Sequence, residues 1–191
     1  MSAAATGPIL IISGTNRPGS SALKVSNVLL DYYRRFNETA ELLSLEALPP
    51  EIYDPASYAT KPPRMIELQQ IVLHAAGLHI VVPEYNGSFP GVLKYFIDML
   101  KFPDSFISKP VAFVGEASGI WGGIRPVEHL SQVFAYRNGH QYPDRVFIPG
   151  ILKKFDAAGR FTDEAIALRL EKQCIGFAAY VRHIHKLEAN Q

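Results

Sequence analysis

The chain has 191 residues, 48% of them hydrophobic and 19% charged, with a formal net charge of +1 and an isoelectric point near 7.9. That length suits one domain whose core needs neither disulfide nor metal. The near-neutral balance argues against a broad nucleic-acid footprint and against a strongly acidic docking protein, so the expected partner is a small molecule.

Cys174 is the single cysteine; no intrachain disulfide can form, and an intracellular, cytoplasmic setting is expected. Residues 1–7 are small and polar, lack a basic region, and precede an apolar run too short to span a bilayer. They read as a flexible tail, with a single domain expected over 8–191 and no membrane partner.

Pro8 to Ser13 is a continuous apolar run, the pattern of a strand covered on both faces. A Gly-rich turn from Gly14 to Ser21 follows it, and then Leu23, Val25, Val28, Leu29, Tyr32 and Tyr33 recur at helical spacing. Glu41 to Leu45 is expected to form a second strand. Pro49 to Pro63, rich in proline and turn formers, reads as a surface loop able to act as a flap. Met65 to Ala76 reads as helix, and the β-branched run Leu78 to Val82, closed by Pro83, as a buried third strand.

Beyond Pro83, Asn86-Gly87 tolerates positive φ, and Ser88 or a neighbour is expected to cap a helix with Pro90 in its first turn. In that helix only Lys94, Asp98 and Lys101 interrupt the apolar positions from Val92 to Phe102. Such a helix is buried on more than one side, either against a second subunit or under its own loops. Pro110 to Gly115 reads as a fourth strand, Glu116 to Gly123 as another Gly-rich turn before a helix, and Arg145 to Pro149 as a fifth strand. A charged excursion leads to a last helix with Thr162 as the expected N-cap and Asp163 and Glu164 suiting the dipole.

Strands alternating with helices imply a parallel sheet between helical layers, with ligands bound outside the carboxyl ends of the strands. The Gly-rich turns follow the first, third and fourth strands, so all three are expected to border one crevice. The first turn offers backbone amides, the hydroxyls of Thr15, Ser20 and Ser21, and the Arg17 guanidinium, a donor set suited to a single phosphate at a helix start. It matches neither a Walker A loop nor G-x-G-x-x-G. The alternative is a plain tight turn in which Ser20 only caps the helix.

Tyr85 and Trp121 sit among small residues in the other two turns, where flat aromatic surface beside main-chain amides suits an isoalloxazine ring; core packing beneath a loop is the alternative. The six histidines form no metal-binding pattern, and His183 and His185 are expected on solvated surface. Cys174 falls in an apolar stripe and is expected in the core. For Arg125, a surface salt bridge is the default over contact with a nicotinamide phosphate.

Four stretches together resemble the NADPH-dependent FMN reductase family: Gly14-Thr15-Asn16-Arg17-Pro18-Gly19-Ser20, the run Pro83-Glu84-Tyr85-Asn86-Gly87-Ser88-Phe89-Pro90-Gly91-Val92-Leu93-Lys94, the Gly119-x-x-Gly122-Gly123 turn, and Lys154-Phe155-Asp156 through Thr162-Asp163-Glu164. The resemblance implies an α/β, flavodoxin-like three-layer sandwich with a five-stranded parallel sheet of order 2-1-3-4-5. It also implies an NAD(P)H-dependent oxidoreductase that passes two electrons by ping-pong hydride transfer through bound FMN to quinones, azo compounds, chromate or free flavin.

Thr15, Arg17 and Ser20, with Ser21 beside them, would hold the FMN phosphate. Pro83, Glu84, Tyr85, Asn86 and Gly87 would border the ring, and Ser118, Gly119, Trp121, Gly122 and Gly123 would close its other side. No protein side chain is expected to act as a catalytic acid or base, because the flavin carries the chemistry. A homodimer or dimer-based tetramer is implied as well. Ala22 stands where family members often carry Asn, and Ala117-Ser118-Gly119 replaces a common Ser-Pro-Gly. The competing readings are an electron carrier or flavin-binding regulatory module, and a member that binds no flavin.

Overall fold

The computed structural model describes residues 7–190; most of the tail expected over 1–7 lies outside the described residues. Six parallel strands form one sheet: β1 (Ile9–Ser13), β2 (Ala40–Ser44), β3 (Gly77–Pro83), β4 (Pro110–Glu116), β5 (His140–Gln141) and β6 (Val146–Ile148). The order is β2-β1-β3-β4, and both β5 and β6 pair with β4. The expected 2-1-3-4-5 arrangement is therefore present with its fifth position split in two. β5 flanks the start of β4, with His140 opposite Pro110, and β6 flanks its end, with Ile148 opposite Glu116. Pro143 lies between them and has no N–H to continue a ladder.

Five helices, α1 (Ser21–Arg35), α2 (Pro63–His74), α3 (Gly91–Met99), α4 (Ile124–Tyr136) and α5 (Glu164–Ala189), cover the two faces. Strand side chains alternate between them. Leu10, Ile12, Leu78, Ile80, Val111 and Phe113 pack against α2, α3 and α4. Ile9, Ile11, Val81, Ala112 and Val114 pack against α1 and α5. Cys174 is fully buried on the second face, as its stripe predicts.

A polar chain crosses that second core. Gln173 Nε2 donates to the carbonyls of Phe113 (3.0 Å) and Asp144 (2.8 Å), which leaves Gln173 Oε1 to accept from His79 Nε2 at 3.1 Å. His79 Nδ1 then accepts from the Tyr33 hydroxyl at 2.8 Å. One neutral imidazole thereby joins α1, β3, β4 and α5 with its ring nitrogens satisfied.

Several local expectations are corrected. Asp163, not Thr162, caps α5: its Oδ1 accepts from Ile166 N at 3.0 Å while its other oxygen holds Lys154 Nζ at 2.6 Å. Pro90 is the N-cap of α3 and its ring has no acceptor to offer, while Ser88 Oγ is engaged with His129 Nδ1 at 2.9 Å. His185 is half-buried, with its Nε2 donating to the Ala76 carbonyl at 2.7 Å, so that of this pair His183 alone is exposed. The segment from Pro49 to Pro63 holds short 3-10 turns around a buried Ile52, and its Tyr53 and Tyr58 rings lie 5.0 and 6.2 Å from Tyr95 of α3. Part of the apolar excess of α3 is thus covered by the chain's own loop. No helix among the described residues is long and apolar enough to cross a membrane.

Candidate active site

The second corner is a tight reversal. Tyr85 N donates to Ser88 O at 2.8 Å and Ser88 N returns the bond to Tyr85 O at 3.1 Å, with Asn86 at φ 51° and Gly87 at φ 77° between them. Positive φ at both central positions is what Asn-Gly tolerates. Glu84 N donates to Glu116 O at 3.0 Å and so ties this loop to the end of β4.

The third corner folds back over the sheet. A Cβ on Gly123 would stand 2.5 Å from Glu116 N, and one on Gly122 2.9 Å from Pro149 N. The double glycine thus lets main chain lie on main chain. Ala117 N donates to Ile148 O, Gly150 N to Gly119 O and Ile151 N to Ala117 O, bracing the turn against the segment after β6. Trp121 is left outward, with 63% of its surface exposed.

The first corner joins the second directly, since Thr15 Oγ1 and the Tyr85 hydroxyl are 3.0 Å apart. Ser20 caps α1, its Oγ accepting from Leu23 N at 3.1 Å, and its own O–H remains able to donate outward. The amides of Ser21 and Ala22 occupy the first turn of α1 and have no intrahelical acceptor. Arg17 is exposed beside them.

Glu84, Asn86, Gly87, Ala117, Ser118, Gly119 and Trp121 line one cavity of about 280 Å³. Glu84 Oε2 is buried and has no hydrogen-bond partner among the described residues. The structure therefore brings the second and third turns around one hollow, with Tyr85 linking the first. Gly122 and Gly123 are buried behind it, and Pro83 lies within β3.

Two features were not legible from residue types. Glu116, at the carboxyl end of β4, is buried, its side chain makes no hydrogen bond among the described residues, and burial pushes its carboxyl up to about 7. By strand alternation it projects to the α1 and α5 face, with Ala112 and Val114. As the first residue of the third Gly-rich turn, it looked like a turn residue. The second feature is a larger, open hollow of about 700 Å³ beside the 3-10 turns, lined by Pro49, Ser57, Lys61 and Pro62 among others. Its Arg64 is paired with Glu67 and its Asp54 caps Ala56 N, so these two charges are already engaged. The smaller hollow, with its orphaned carboxylate oxygen, is the better site.

A model of the family described as NADPH-dependent FMN reductase matches residues 8–152. The chain belongs to this family. Membership in the FMN reductase family makes it an oxidoreductase with FMN and NADPH as its cofactors. It is 30% identical over 183 residues to an NAD(P)H-dependent FMN reductase of Pseudomonas aeruginosa, covering 92% of this chain and 96% of that one. It is 28% identical over 180 residues to a quinone reductase of Escherichia coli, again covering 92% and 96%. The flavoenzyme NAD(P)H:(acceptor) oxidoreductase FerB of Paracoccus denitrificans has the same fold, with a TM-score of 0.78 at 22% identity over 93% of this chain and 98% of that one.

Proposed function

We propose that the protein passes two electrons from NAD(P)H to small acceptors of the quinone, azo, chromate or free-flavin class by a ping-pong mechanism at the carboxyl edge of the sheet. The observation that carries this reading is the buried, unpartnered Glu84 Oε2 inside a hollow lined by main chain and one indole. That donor and acceptor set fits a flat heterocycle with a polar edge, and the α1 N-terminus fits its phosphate. The chemistry supplied by bound FMN is two-electron transfer in alternating half-reactions, balanced as NAD(P)H + H⁺ + quinone giving NAD(P)⁺ and hydroquinone.

The chain's residues bind and orient. Thr15, Arg17, Ser20 and Ser21 hold the phosphate, and Glu84, Tyr85, Asn86 and Gly87 border the ring on one side. Ser118, Gly119 and Trp121 border it on the other, with Pro83, Gly122 and Gly123 shaping the main chain behind. The Thr15 to Tyr85 bond fixes the phosphate loop relative to the ring loop. The proposed working form is a single-domain subunit in a cytoplasmic homodimer or dimer-based tetramer.

An anaerobic visible spectrum of the protein with FMN, before and after NADPH, tests the reading. Bound-flavin bands that bleach without a semiquinone are expected. Bound flavin left oxidised by NADPH would favour a carrier or regulator, and absence of binding would sink the cofactor assignment.

A further inference from the structure

We propose that the mouth of this site selects planar aromatic acceptors that carry a negative charge, with the Trp121 indole as the platform and the Arg125 guanidinium as the anchor. The inference rests on the reductase reading above and names the substrate class for the same site.

Trp121 and Arg125 lie on either side of the first residue of α4. Trp121 lines the hollow together with Gly87, and Ile120 before it in the chain is 81% exposed. Across the rim, Arg125 Nη1 stands 3.8 Å from where a Cβ on Gly87 would be, so the guanidinium leans over the opening. The sequence suggests a surface salt bridge for this residue. Among the described residues its side chain makes no ion pair and no hydrogen bond, although neighbouring charges are engaged. Arg145 pairs with Glu128 of α4, and His129, one turn beyond Arg125 on that helix, is held by Ser88.

A free guanidinium beside a flat aromatic surface is suited to a ligand with a ring and an oxyanion. The fork binds carboxylate or sulfonate with two parallel N–H bonds, and the ring stacks on the indole. A neutral quinone uses only the platform. Because Arg125 is exposed, its contribution is screened by salt.

The chain has one tryptophan, so quenching of its emission reports ligand contact at Trp121 without turnover. The probes are anthraquinone sulfonate and its neutral analogue hydroxymethyl anthraquinone, titrated into the oxidised, FMN-loaded protein, with KM measured in parallel under saturating NADPH. The sulfonate is expected to bind about 2-fold to 5-fold more tightly at low ionic strength, the range of a solvent-exposed ion pair. That preference should shrink in about 1 M salt, where the Debye length is about 3 Å. Arg125→Gln should abolish it while leaving the neutral probe's affinity and the melting temperature unchanged, and Arg125→Lys should retain part of it.

Equal affinity of the wild-type protein for the two probes overturns the proposal. So does an Arg125→Gln variant that keeps the preference but raises KM for NADPH, which would assign the guanidinium to the nicotinamide cofactor. Turnover of neither quinone would sink the reductase reading, while the quenching titration would still decide the charge preference.

Discussion

Two buried titratable residues set opposite pH dependences on stability. Burial lowers His79 from the usual 6.5 to about 4 and raises Glu116 from the usual 4.5 to about 7. Between pH 4 and 6.5 the unfolded chain binds a proton at His79 that the folded chain refuses, so this group's contribution falls as the solution is acidified. Between pH 4.5 and 7 the folded chain keeps a proton on Glu116 that the unfolded chain has released, so this contribution is full below 4.5 and falls as pH rises through 7. Each amounts to about 3 kcal/mol at 1.36 kcal/mol per unit, and across their shared window they nearly cancel. Urea unfolding of the wild-type protein should therefore vary little between pH 4.5 and 6.5 on account of this pair. Glu116→Gln keeps the neutral form, so its stability should climb with pH through that window and exceed the wild type by a few kcal/mol at pH 8, on the order of the shift itself. Parallel wild-type and variant curves would refute this assignment of the two groups.

Among the elements, the third turn separates two kinds of glycine that look alike in the sequence. Gly123 has φ 82° and its missing Cβ would fall 2.5 Å from Glu116 N, whereas a Cβ on Gly119 meets nothing within 4 Å. Gly123→Ala should cost about 1–3 kcal/mol through left-handed strain and backbone contact, seen as a lower melting temperature, and should weaken FMN binding by displacing the turn. Gly119→Ala should leave the melting temperature nearly unchanged; equal losses in both would contradict the steric account. The sequence made the turn itself legible, because Gly-rich stretches after apolar runs mark strand-to-helix corners. It did not say which glycine bears the close approach, since that depends on how the turn folds back onto the end of β4. For a similar reason β5 went unread: His140–Gln141 has no apolar run, and its pairing is decided by β4 beside it. Asp163 displaced Thr162 as the cap of α5 because it also meets Lys154, a contact that local patterning does not contain.

For the molecule as a whole, strand order turns separate loops into one site. β1 and β3 are neighbours although α1, β2 and α2 lie between them in sequence, which lets Thr15 meet Tyr85 across 70 positions. Alternation of strands and helices predicted that edge; the particular hydroxyl pair and the orphaned Glu84 oxygen required the packed structure.

Beside α3, Tyr53 and Tyr58 remain 51% and 59% exposed while lying tilted against Tyr95, and Phe102 is 64% exposed beyond the helix end. An aromatic patch of this kind gains from burial against a second copy, at about 25 cal/mol per Å² of apolar surface removed from water. Sedimentation velocity at micromolar concentration should therefore give a dimer or larger, and Tyr58→Glu, which places a charge on the patch away from the hollow, should shift it toward monomer with the fold intact by circular dichroism. If the wild-type protein sediments as a monomer, the apolar composition of α3 is accounted for by its own covering loop, and the homodimer reading fails.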